Sequence, residues 1–202
     1  MARKPVVNIA VEGDLDEAVL RRALASVGIR VERQYVQNGK DRLRENVPRY
    51  NQAAKFADWV VLVDLNIEAE CAPVLVASWL SHRNPRMQLR VAVREVESWL
   101  LADRAEMARF LSVAQGKIPL NPEQEEKPKD TLIGIARSSR RRAIREGLVP
   151  APSSSAKQGP GYVSQLIEFV EQHWDPQRAS KAAPSLARTL LGLGQWGGGI
   201  SR

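Results

Sequence analysis

The chain is poor in metal-binding nitrogen and sulfur: among 202 residues there is one cysteine, Cys71, and two histidines, His82 and His173. A single thiol cannot form an internal disulfide, and the three side chains are too few for a zinc site of the usual cysteine and histidine type. Any metal must therefore be held by oxygen, which favours magnesium, manganese or calcium. No stretch of 18 consecutive apolar residues is present, so no membrane-spanning helix is expected. Arg3 and Lys4 lead straight into a short apolar run and not into a signal-peptide pattern, so the expected location is the cytoplasm. Neither a Gly-x-Gly-x-x-Gly turn nor a Walker-type loop follows any apolar run, which argues against a nucleotide-binding module of those kinds.

What is present is enough apolar residue for a real core, 44% of the chain, and a net charge of +7 with a pI near 9.9. That balance suits a polyanionic partner such as nucleic acid. It is also common on surfaces that bind nothing specific.

The N-terminal half alternates strand and helix patterns four times. Val6 to Val11 is a short apolar run that ends at Glu12-Gly13-Asp14, and helical spacing through Leu15, Val19 and Leu20 follows to about Val27. Asp14 is the expected N-cap of that helix. Gly28 provides a stop, and a second strand runs to about Val36 before Asn38-Gly39 breaks it. Lys40 to Phe56 reads as a helix with Pro48 as a point of kinking or splitting. Trp59 to Asn66, WVVLVDLN, is apolar without alternation, as in a parallel strand covered on both faces. Cys71 to Leu80 reads as a helix, Met87 to Glu95 as a fourth strand, and Val96 to Asp103 as a helix entered directly from it.

The C-terminal half changes character. Residues 114–130 and 150–161 read as loops, the second rich in proline, serine and glycine. Thr131 to Gly147 predicts one helix with a basic face of Arg137, Arg140, Arg141, Arg142 and Arg145, a candidate nucleic-acid track whose plain alternative is a solvated surface. Tyr162 to Trp174 is amphipathic, a short helix is expected near Leu186 to Leu191, and Gly192 to Arg202 is expected to fray. Trp59, Trp79, Trp99 and Trp174 lie in apolar patterns and belong to the core, whereas Trp196 in the glycine-rich tail is a candidate anchor for a partner. The expectation is thus an α/β fold: a Rossmann-like parallel sheet of about four strands over residues 1–112, with a helical extension over 113–202 packed on it.

Ligands in such sheets bind beyond the carboxyl ends of the strands. Glu12 follows strand one, Asp64 and Asn66 close strand three two residues apart, and Glu95 and Glu97 follow strand four. Several carboxylates meeting at one rim repel each other unless a cation joins them, so a divalent ion is the physical reason to place them there. Lys40, Lys127 and Lys129 are the candidates for neutralising a phosphate.

Glu12-Gly13 after strand one, with an acidic residue closing a later strand, resembles the Toprim fold of topoisomerases, primases and related nucleases over roughly the first half of the chain. VLVDLN, AVREVESWLLAD, EKPKDTL and APSLARTL resemble, over nearly the whole chain, a group of small bacterial Toprim-like proteins associated with ATPases in phage-defence settings. The resemblance implies a Mg2+- or Mn2+-dependent nuclease, with Glu12 as acid-base group or metal ligand and Asp64 as a metal ligand. Asn66 stands where the family pattern expects aspartate and brings an oxygen without charge. Glu95 and Glu97 then supply the missing carboxylates, with Lys40 or Lys129 as the catalytic lysine. A non-catalytic subunit serving an ATPase is the alternative implied by Asn66. A topoisomerase or primase role is disfavoured by the lack of a tyrosine-bearing cleavage domain and of a zinc-binding cysteine set.

Overall fold

The computed structural model describes residues 5–66 and 69–197. Four strands, β1 (Val6–Val11), β2 (Arg30–Val36), β3 (Trp59–Asp64) and β4 (Met87–Ala92), form one sheet in the order β2-β1-β3-β4, and every pairing is parallel. Between them run α1 (Asp14–Ser26), α2 (Lys40–Ala53) and α3 (Ala72–Trp79). Then follow α4 (Val96–Ala102), α5 (Arg104–Leu111), α6 (Pro128–Ala136), α7 (Arg142–Leu148), α8 (Tyr162–Gln172), α9 (Pro176–Ala179) and α10 (Pro184–Gly197). Among the described residues no helix is long and apolar enough to cross a membrane.

The apolar residues of β1 and β3 alternate between two cores, because successive strand side chains point to opposite faces. Val7, Ile9, Val11, Val60 and Leu62 join α1 and the C-terminal helices in one buried cluster; Ala10, Trp59, Val61 and Val63 join Leu43, Val47, Leu75 and Trp79 in the other. The uninterrupted apolar run of strand three is thereby explained. The helical half shares the first cluster, with Tyr162, Leu166, Phe169, Trp174, Leu186 and Leu193 buried beside Trp99 and Leu100.

Several boundaries differ from those the sequence predicts. The N-cap of α1 is Gly13, not Asp14. Pro48 lies within α2 without splitting it, so one helix spans both sides of it. Strand β4 ends at Ala92, three residues before Glu95. The predicted helix over residues 131–147 is two helices, because the Ser139 hydroxyl accepts the Arg141 amide at 3.0 Å and turns the chain. Its arginines therefore share no single helical face. The C-terminal helix is longer than predicted and carries residues 192–197 of the expected frayed tail, with Trp196 packed partly buried against the core instead of standing free. Residues 198–202 of that tail lie outside the described residues.

One buried hydrogen-bond chain joins the two halves. Trp174 Nε1 donates to the Trp99 carbonyl at 3.1 Å, and Trp99 Nε1 donates to Ser185 Oγ at 2.7 Å. The Ser185 hydroxyl in turn donates to Glu123 at 2.6 Å. Both tryptophans are fully buried, so each indole N–H needs an acceptor inside the protein. Ser185→Ala strands the Trp99 donor, and a loss of about 1–3 kcal/mol in denaturant unfolding is expected. An unchanged midpoint and slope would show that the hydroxyl contributes nothing to stability.

Candidate functional site at the strand rim

In this strand order the chain leaves β1 on one side for β2 and returns past it to β3, so the carboxyl ends of β1 and β3 lie side by side at the point of reversal. A crevice forms at such a point because the flanking helices depart to opposite faces of the sheet. Here it is a cavity of about 390 Å³ lined by Glu12, Asp16, Asp64, Glu97, Lys129 and Tyr162, among others.

Each side chain is placed by a local device. Glu12 is the first residue past β1, and Asn38 and Gly39, both at positive φ, bend the chain away on the neighbouring side. Asp16, in the first turn of α1, reaches back to accept the Gly13 amide at 3.0 Å, closing the helix entrance. Asp64 ends β3, and its Oδ1 accepts the amide of Val96, the first residue of α4, at 3.0 Å. Glu97 is buried, with Oε1 taking the Tyr162 hydroxyl at 2.9 Å and lying 3.5 Å from Lys129 Nζ. Glu95 Oε2 accepts the Lys129 amide at 2.9 Å, which fixes the start of α6 against the rim. Lys40 Nζ donates to the Asp64 carbonyl at 2.7 Å and lies over the Trp79 ring.

Electrostatics mark the cluster as strained by charge. Burial, then the neighbouring Asp16, Glu97, Glu95 and Glu12, push the Asp64 carboxyl well above the ordinary aspartate range. Asp16 is pushed up to about 7, by burial first and then by Glu97 and Glu12. Glu12 is raised by burial despite Lys40 and Lys129, and Glu95 by burial and Glu97. Burial works against the charge of Lys129, yet Glu97, Glu95 and Asp64 together raise its pKa and hold it protonated. Burial and Glu97 raise the Tyr162 hydroxyl, which stays a donor.

The structure thus brings together Glu12, Asp64, Glu95, Glu97 and Lys129 from the residues singled out in the sequence. Lys129 sits in the first turn of α6 and not in a loop. Asn66 is not brought in by the strand: β3 stops at Asp64, Asn66 has φ 51°, and its carbonyl accepts from Arg94. The shared-face argument for Asp64 and Asn66 therefore fails. Arg137, Arg140, Arg141 and Arg142 are exposed and Arg145 half-buried, none of them lining this cavity. Sequence reasoning missed Asp16 and Tyr162. The four-residue spacing from Glu12 to Asp16, one turn into a helix that starts at the rim, was a usable signal. Tyr162 carried none, since it reads as one more apolar position of an amphipathic helix.

In donor type the cluster fits an oxygen-coordinated divalent ion, five carboxylates being present with the ammonium groups of Lys40 and Lys129 beside them. In placement, no group of three or more His, Cys, Asp or Glu side chains among the described residues stands ready to hold a metal ion. Asp16, Asp64, Glu95 and Glu97 are instead held by the Gly13, Val96 and Lys129 amides, by Tyr162 and by the Lys129 ammonium.

Raised carboxyl pKa values carry a definite sign. The folded protein keeps protons that the unfolded chain releases, so without divalent ions stability falls as pH rises from about 4 towards about 7, the window set by Asp16. The slope is roughly 1.4 kcal/mol per pH unit for each carboxyl protonated in the fold and ionised in the unfolded chain. Asp64→Asn keeps an acceptor for Val96 and removes one of these charges, so it is expected to flatten the pH dependence and raise the melting temperature near neutrality. A variant less stable than the parent throughout this range would contradict that account. Comparison with known protein families, characterised proteins and solved structures found no match.

Proposed function

We propose that the rim cluster is a magnesium or manganese site and that the protein is a metal-dependent phosphodiesterase acting on nucleic acid in the cytoplasm. One observation carries this reading: carboxylates from the end of β1, the first turn of α1, the end of β3 and the first turn of α4 face one cavity, and burial together with the neighbouring carboxylates raises the pKa of Glu12, Asp16 and Asp64. Such an arrangement costs stability, and a cation lowers that cost. Glu12, Asp16, Asp64 and Glu97 would hold the ion, with Glu95 behind them. When bound, the ion supplies Lewis-acid stabilisation of charge on the phosphoryl oxygens.

The chain's own residues do the rest. Lys129, kept protonated at the cavity wall, offers its charge to a phosphate oxygen as negative charge builds in the transition state. Burial raises the Glu12 carboxyl in the metal-free protein; as a ligand it would be ionised by the cation and would fix the ion against the end of β1. Tyr162 and the Val96 amide keep Glu97 and Asp64 in position. The net charge of +7 favours a polyanionic substrate. The Toprim resemblance of Glu12-Gly13 and Asp64 points the same way, with Asp16 and Glu97 taking the place expected of Asn66.

Titration calorimetry with Mn2+ is expected to show saturable binding that Glu12→Ala and Asp64→Ala each abolish. Cleavage of single- or double-stranded DNA or RNA should require Mg2+ or Mn2+ and fall by about 100-fold or more in Glu12→Gln and Lys129→Met. Metal binding without cleavage would favour the regulatory, ATPase-associated subunit. No metal binding, or cleavage that survives both substitutions, would defeat the proposal.

A further inference from the structure

A second cavity, of about 590 Å³, lies along β4, one of the two outer strands of the sheet, between α3 and α10. Among the described residues its charged lining is four guanidinium groups, Arg83, Arg90, Arg94 and Arg188, against two carboxylates, Glu70 and Glu123. Glu123 is engaged by the amide and hydroxyl of Ser185; burial raises its carboxyl, and the Ser185 bonds and nearby Arg188 only partly offset the rise. Glu70 is exposed.

Two of the arginines, Arg90 and Arg94, are held by neutral groups. Arg90 is half-buried; its Nε donates to the Gln88 side-chain oxygen at 2.8 Å, and its guanidinium lies where a Cβ on Gly192 would otherwise sit. Gln88 Nε2 donates to the Gly192 carbonyl at 3.0 Å, so α10 and β4 together hold the Arg90 guanidinium, whose Nε and Nη2 both donate to Gln88 Oε1. Arg94 Nη1 donates to the Asn66 carbonyl at 3.0 Å. Burial and the like charge of Arg83 lower the Arg90 pKa. A planar, preorganised guanidinium beside a second one is matched by a phosphate, which accepts from both. The floor beneath them is apolar, built from Leu65, Val76 and Leu89, and its volume is that of a small-ligand pocket.

We infer that this groove binds a nucleotide, its phosphate held by Arg83, Arg90 and Arg188 and its base laid on the apolar floor. The shared chemistry is a phosphate on a flat ring, supplied either by a free mononucleotide or by the 5′-phosphorylated end of a single strand. Flat bases also stack on arginine planes, which suits the guanidinium-lined wall. The groove uses none of the acidic rim residues, so this inference stands whether or not the rim holds a metal.

The test is equilibrium binding in EDTA, which keeps metal from the rim, with adenosine 5′-monophosphate, adenosine, and a short single-stranded oligonucleotide with and without a 5′-phosphate. Saturable binding of a phosphorylated probe and much weaker binding of its unphosphorylated counterpart are expected. Arg83→Glu and Arg188→Glu, both at exposed positions, should each weaken it by about tenfold or more. Thermal melts of both variants like that of the parent keep a folding defect from explaining the loss. Binding of the mononucleotide identifies the free form as a ligand, and binding confined to the phosphorylated strand identifies the strand end. No saturable binding of either phosphorylated probe, equal binding of the unphosphorylated ones, or undiminished binding by both variants would overturn the inference.

Discussion

Mutual repulsion among carboxylates that the fold will not let separate is the constraint around which this protein is arranged. The strand order puts the ends of β1 and β3 side by side, and with them Glu12 and Asp64. Asp16 is drawn in by its bond to the Gly13 amide, and Glu97 because α4 starts almost directly after β4. Each bond that positions a carboxylate also fixes its charge near the others. Chains do not usually retain such a cluster for stability, since every ionised member raises the cost of the next.

The helical C-terminal half is what makes the cluster tenable. Lys129 and Tyr162, from α6 and α8, both reach Glu97, and the Lys129 amide takes Glu95. Those helices are held to the sheet by the shared apolar cluster, and the Trp174–Trp99–Ser185–Glu123 chain ties the segment after α8, α10 and the turn before α6 to α4. The entrance to α8 depends on close backbone approach: a Cβ on Gly159 would fall 2.3 Å from the Gly147 carbonyl oxygen, and the Gly161 amide donates to that same oxygen. Glycine is therefore required where the 150–161 loop returns to the core, and Tyr162 follows directly. The second half completes the rim instead of merely decorating the first.

Much of this was legible in the sequence, and the parts that were not share a cause. Period and apolarity placed all four strands: β1 and β3 are too apolar to sit at a surface, while β2 and β4, the two edges, mix polar and apolar residues. The acidic residues beyond them followed from where such strands end. Asn66 was misplaced because a same-face argument holds only while the chain stays extended, and β3 gives out two residues earlier. The arginine face dissolved because the Ser138-Ser139 pair breaks the helix through a local side-chain bond that residue spacing cannot report. Tyr162 and the β4–α10 groove were out of reach, being products of how distant helices dock. Tertiary contacts of that kind leave no periodic trace in the sequence.

The claim that the rim carboxylates share one electrostatic field is tested most directly by following their side-chain carbons through a pH titration by 13C NMR in EDTA. Asp64 should titrate well above the ordinary aspartate range, and Glu97→Gln should lower its midpoint, because one of the charges opposing its ionisation is gone. An Asp64 midpoint at the ordinary value, unmoved by Glu97→Gln, would contradict the account.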